Sequence, residues 1–122
     1  MHVPHGIVPA LAYRVRIGDT IIVFSGDQNG SDDEFVEFAK NAAVLIAHMP
    51  VPEGIRGAAR SLHAPPGVIG TFAREAQVGT LVLSHLMARS LRNLDDNVAI
   101  VKSHYNGRVM VANDLDCMII NQ

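Results

Sequence analysis

What the sequence lacks narrows its function before any motif is read. It holds one cysteine, Cys117, which excludes an intrachain disulfide and a cysteine-built zinc cluster. A lone thiol fits a reducing compartment. Cations are not in excess: the formal net charge is -2. No basic field gathers nucleic acid, so nucleic acid is not expected as a partner. No apolar run approaches the ~20 residues needed to span a bilayer. Met1 to His5 has no charged segment leading into an apolar one, so no secretory leader is expected. These absences together point to a cytoplasmic protein without membrane contact. No G-x-S-x-G turn is present, which leaves Ser25 and Ser84 without the setting of a nucleophile. Gly26 and Gly30 are not followed by Lys-Ser or Lys-Thr, so they form no phosphate loop.

What remains is apolar and compact in pattern. Hydrophobic residues make up 48% of the chain, charged residues only 18%, and the mean hydropathy is +0.19. A chain of 122 residues suffices for one domain, 1–122, with a real core. The apolar excess implies more buried surface than one small domain can hide.

The pattern predicts an α/β layer: a mixed β-sheet with helices on one face. Residues Ala10 to Ile17 alternate, with Arg14 and Arg16 between Tyr13, Val15 and Ile17, as in a half-buried strand. Gly18-Asp19 turns the chain into the apolar run Thr20 to Phe24, making a hairpin. Ser31 and Glu34 have capping-box spacing for a short acidic helix to about Asn41. Ala43 to Ala47 is apolar throughout, as a strand buried on both faces requires. Pro50 to Gly67 is a long irregular loop with one helical turn near Ile55 to Leu62, and its length favours a functional or partner-contacting loop over a plain connector. A helix over Val68 to Gln77 leads into the strand Thr80 to Leu83. Ser90 to Asn93 reads as a loop. Leu94 to Tyr105 carries Leu94, Val98, Val101 and Tyr105 on one helical stripe, ended by Asn106-Gly107. Arg108 to Ala112 and Cys117 to Ile120 are the expected closing strands.

Chemistry is concentrated at the ends of these strands. Phe24-Ser25-Gly26-Asp27 delivers a carboxylate at the carboxyl edge of the sheet, where glycine permits a sharp turn. Ser84-His85 ends a second apolar strand in the same way, and His5 precedes the first. His5, Asp27 and His85 are a ligand set suited to zinc, manganese or iron. Each has an ordinary alternative: a solvated histidine, a turn-forming aspartate, a hydrogen-bonded core histidine. His63, at the end of the long loop, is a candidate general acid or oxyanion donor, with a water-bound loop histidine as its alternative. His2 and His104 read as solvated.

The order of these segments resembles the C-terminal half of a metallo-β-lactamase superfamily hydrolase, in the ribonuclease Z and arylsulfatase-like branch. The resemblance is carried by His5 to Arg14, by Val23-Phe24-Ser25-Gly26-Asp27, and by Val82-Leu83-Ser84-His85. Leu45 to His48, Leu62-His63 with the helix around Ala73 to Ala76, and Val111 to Leu115 extend it over nearly the whole chain. It implies half of an αββα sandwich. It also implies that His5 and His85 each bind a metal, that Asp27 bridges the two, and that His63 assists catalysis beside Asp27. The superfamily's His-x-His-x-Asp-His motif is absent from these 122 residues. Met49 stands where the branch has a catalytic glutamate, and only a short turn replaces its transfer-RNA-binding arm.

The expected function is metal-dependent ester or phosphodiester hydrolysis by a metal-bound water, zinc being the first choice. The alternative is a degenerate, non-catalytic binding or assembly module that accepts a small molecule. Half a sandwich would leave one sheet face wet, so a homodimer through that face is expected.

Overall fold

The computed structural model describes residues 1–120. Its centre is a five-stranded sheet in the order β3-β4-β5-β6-β7, preceded by a small ribbon of β1 (His2–Val3) and β2 (Ala10–Leu11). Gly18-Asp19 does turn a hairpin: β3 (Tyr13–Ile17) and β4 (Thr20–Phe24) pair antiparallel, with Val15 opposite Ile22. The next strands, β5 (Val44–His48), β6 (Thr80–Ser84) and β7 (Arg108–Val111), add in parallel. Parallel neighbours need long crossovers. These are supplied by α1 (Glu34–Ala39), by α2 (Ala58–Leu62) with α3 (Pro66–Glu75), and by α4 (Ala88–Leu91) with α5 (Leu94–His104).

One face of the sheet meets the helices. Ile21, Val23, Leu45, Ala47, Leu81 and Leu83 pack there against Phe35, Ile69, Phe72 and Val101 in one buried cluster. Phe35 and Phe72 touch with ring centroids 5.2 Å apart. Tyr105 closes the cluster's lower edge, its hydroxyl donating to the carbonyls of Val78 and Gly79 at 2.7 and 3.1 Å. The mixed α/β sheet with its helices on one face is therefore as expected.

Several boundaries differ from the sequence pattern. The first strand is broken at Ala12, which is buried between β2 and β3. The acidic helix begins at Glu34 after Asp33, whose side chain makes no cap bond; Ser31 makes none either, and Asp32 Oδ1 accepts the Glu34 N–H at 2.9 Å in a local turn. α3 starts two residues earlier than Val68, since proline at the first helical position loses no bond there. The expected loop Ser90 to Asn93 is partly helical, because the Ser90 hydroxyl and the Met87 backbone bond each other. Cys117 to Ile120 forms no strand. Ile119 is 83% exposed, so that segment has no sheet face on which to bury its side chains. No helix among the described residues is long and apolar enough to cross a membrane.

Candidate metal centre

The carboxyl ends of β4, β5 and β6 lie side by side, and each releases a polar residue at the same edge. After β4 the Ser25 N–H continues the ladder to the Ile46 carbonyl at 2.9 Å. The Ser25 hydroxyl donates to the Gly26 carbonyl at 2.8 Å and accepts the His48 N–H at 3.2 Å. Gly26 then turns with φ +61°, and a β-carbon there would collide with the Leu11 carbonyl oxygen. Only glycine fits that position. This turn places Asp27 over the sheet edge.

β5 ends in His48, whose Nδ1 lies 2.9 Å from Asp27 Oδ1. β6 ends beside His85, held at φ +52°, a left-handed conformation rare for a non-glycine residue. Its Nε2 is 3.6 Å from the same oxygen. His63 follows α2, with Nδ1 3.8 Å from Asp27 Oδ1. His5 approaches the other oxygen, its Nε2 4.0 Å from Oδ2. The loops that carry these residues are tied together: the Asn29 N–H bonds the Pro4 carbonyl at 2.8 Å, and the Ala64 N–H bonds the Gln28 carbonyl at 2.7 Å.

Asp27 therefore sits between two imidazole pairs. His5 and His63 have ring centroids 4.9 Å apart, and His48 and His85 are 4.8 Å apart. The donor atoms fall into two sets that share the carboxylate, His5-Asp27-His63 and Asp27-His48-His85, each within 4.8 Å.

Electrostatics follow from this crowding. Burial alone would raise the Asp27 pKa, but the His48 hydrogen bond and the nearby charges of His48, His85 and His63 outweigh it. The carboxyl is held below its usual value. Burial pushes His63 down, and His5, His85 and Arg89 add to that; only Asp27 opposes it. His63 is thus biased toward the neutral form that binds metals.

Two details show that the set fits a metal. His5 Nδ1 lies 2.8 Å from the Leu62 carbonyl. A carbonyl only accepts, so Nδ1 carries the proton and Nε2 keeps a lone pair toward Asp27. Such a backbone bond is how metal-binding histidines are commonly oriented. His63 Nδ1 is buried with no hydrogen-bond partner in the protein. A buried nitrogen left unsatisfied is costly, and a cation would complete it. Imidazole and carboxylate donors together suit zinc, manganese or iron.

All the residues singled out from the sequence, His5, Asp27, His63 and His85, are brought to this one place. His48 was not among the expected ligands, yet it makes the shortest contact to Asp27. The signal that could have found it is the one that marked Asp27 and His85: a polar residue at the end of an apolar strand. Met49 is fully buried beside it, so no acid stands at that position.

Comparison with known proteins agrees with this geometry. The chain aligns with a metallo-β-lactamase fold protein from Bacillus subtilis at a TM-score of 0.79, with 27% identity, over 93% of its own length and 45% of the other's. The chain carries half of the metallo-β-lactamase fold. It also superposes on human tRNase Z, short form, at a TM-score of 0.75 with 21% identity, covering 99% of this chain and 42% of that one. In sequence, 53 residues are 43% identical to ribonuclease Z of Nocardia farcinica, which is 43% of this chain and 17% of that protein. No protein-family model matches. The half-fold thus spans less than half the length of the relatives it matches.

Proposed function

We propose that this half-fold holds a divalent metal centre, zinc first, for hydrolysis of esters or phosphodiesters. The observation that carries the reading is the convergence of His5, His48, His63 and His85 on the single carboxylate of Asp27. His5 and His63 would hold one metal and His48 and His85 a second, with Asp27 between them. A metal there would supply a Lewis acid and lower the pKa of a water toward neutrality. The neighbouring histidines hold the Asp27 pKa below its ordinary value, which favours the carboxylate as ligand and hydrogen-bond acceptor. His5 is locked in one tautomer by Leu62, and His48 is held by the Ser25 hydroxyl. In the alternative arrangement in which His5 and Asp27 alone hold the first metal, His63 would be free to exchange a proton with a leaving oxygen.

The test is metal content after zinc loading and dialysis, read by elemental analysis. Wild type should retain one to two zinc ions per chain. Asp27→Ala with His85→Ala should retain less than about a tenth of that, since both donor sets share Asp27. Equal content in the two proteins would refute the reading.

One observation favours a second reading, a binding or assembly module without turnover. Met49 is sealed in the core, and a thioether cannot transfer protons. Under that reading zinc binds as above but the loaded protein shows no hydrolysis of an activated phosphodiester.

A further inference from the structure

The loops that leave β5 and β6 carry His48 and His85. At the strand ends the Met49 N–H bonds the Ser84 carbonyl at 2.9 Å. Beyond that bond the two loops part. One runs through buried Met49, Pro50 and Val51 to Glu53; the other turns through His85 into α4. His85 holds φ +52°, a backbone conformation that persists only where the surroundings over-determine it. Both loops meet again at Asn97 in α5. Asn97 is 2% exposed, and its side-chain amide bonds one partner from each loop.

The Glu53 N–H donates to Asn97 Oδ1 at 3.2 Å, and Asn97 Nδ2 donates to the Ser90 carbonyl at 3.1 Å. An N–H must meet an acceptor and a carbonyl must meet a donor, so both partners fix the same amide orientation. Each bond continues toward a histidine. Ser90 is fully buried, and its hydroxyl accepts the Met87 N–H at 3.1 Å and donates to the Met87 carbonyl at 3.0 Å. Met87 follows closely on His85. Glu53 is anchored a second time by its carboxylate, which accepts the Gly67 N–H at 2.8 Å in the first turn of α3. The His5-Asp27-His63 set is tied by other bonds: His5 to Leu62, Asn29 to Pro4 and Ala64 to Gln28.

We propose that Asn97 is a positioning residue for the Asp27-His48-His85 donor set, its buried amide tying the exits of β5 and β6 to one point of α5. The inference rests on the metal reading of that set. A buried amide that only stabilised α5 would lower stability and leave both donor sets equally competent. A clamp on the two exits weakens one set and spares the other. Groups behind metal ligands typically change affinity by about 10–100-fold when they are lost.

Zinc titration with the two sets separated tests this. A His5→Ala protein keeps the Asp27-His48-His85 set, and a His85→Ala protein keeps the other. Adding Asn97→Leu should raise the zinc dissociation constant at least about tenfold in the first and less than about twofold in the second. Ser90→Ala, which cuts only the branch to Met87, should act in the same direction and takes over if Asn97→Leu does not fold. A readout without metal separates the two claims. In the metal-free protein with all its histidines, the same variant should speed amide exchange of Met49 and Ser90 at least about tenfold, while Asn29, bonded to the Pro4 carbonyl, keeps its rate. Zinc binding by neither background would refute the metal reading, and the exchange rates would then decide the clamp alone. Unchanged affinity of the Asp27-His48-His85 set, equal loss in both backgrounds, or unchanged exchange at Met49 and Ser90 would overturn the proposal.

Discussion

Asp27 and His63 make the metal-free molecule sensitive to acid in the same direction. Burial holds the His63 pKa below its ordinary 6.5. As pH falls below 6.5, the unfolded chain takes up the proton first, so folding loses stability there. Asp27 is held below 3.8 despite its burial, because the neighbouring histidines favour the carboxylate. Its contribution is present above that value and is lost as pH falls through the lowered one. Urea midpoints of the metal-free protein should therefore drop between pH 7.5 and pH 5, and His63→Asn should remove part of that drop. A midpoint independent of pH in wild type would contradict this. At this scale the sequence was informative because strand ends are legible: Asp27 and His85 both follow short apolar runs. His48 is less legible because no turn-forming glycine or acid sets it off: its strand runs through Met49 directly into Pro50 and the long loop. The His5–Leu62 bond joins residues 57 apart in sequence, and nothing in local pattern foretells it.

Among the elements, α3 packs against α5, and Gly70 lets the two helices come close. A β-carbon at Gly70 would lie 2.7 Å from the Val101 carbonyl oxygen and 2.9 Å from His104 Cβ. Alanine gains up to about 1 kcal/mol of helix propensity, but overpacking costs about 1–3 kcal/mol. Gly70→Ala should thus destabilise by roughly 1–2 kcal/mol, read from denaturant midpoints; a stabilised variant would show that the helices separate freely. Strands β4, β5 and β6 were legible because each is an apolar run flanked by turn or helix signals. The strand expected at Cys117 to Ile120 has a similar apolar composition but does not join the sheet, and Ile119 stays 83% exposed. Apolar pattern marks a candidate strand, and only the sheet decides whether it forms. α4 was missed for the converse reason. Its four residues are too few to show a period, and a Ser90–Met87 bond sets it up.

At the scale of the molecule, the sheet edge and the sheet face have separate roles. The edge gathers donors from five places in the chain around one carboxylate. The face away from the helices keeps an apolar strip at the hairpin. The overall layer could be read from the order of strands and helices. The narrowness of the open strip could not, since Val44 and Val82 are buried although register puts them on the same face as the exposed Phe24. The central claim is that Asp27 and its histidines are a metal site. Anomalous diffraction at the zinc edge, from crystals grown with zinc, tests it most directly. The expected result is one or two peaks within coordination distance of Asp27, each also reached by His5 and His63 or by His48 and His85. Zinc bound elsewhere on the chain, with no peak at Asp27, would contradict it.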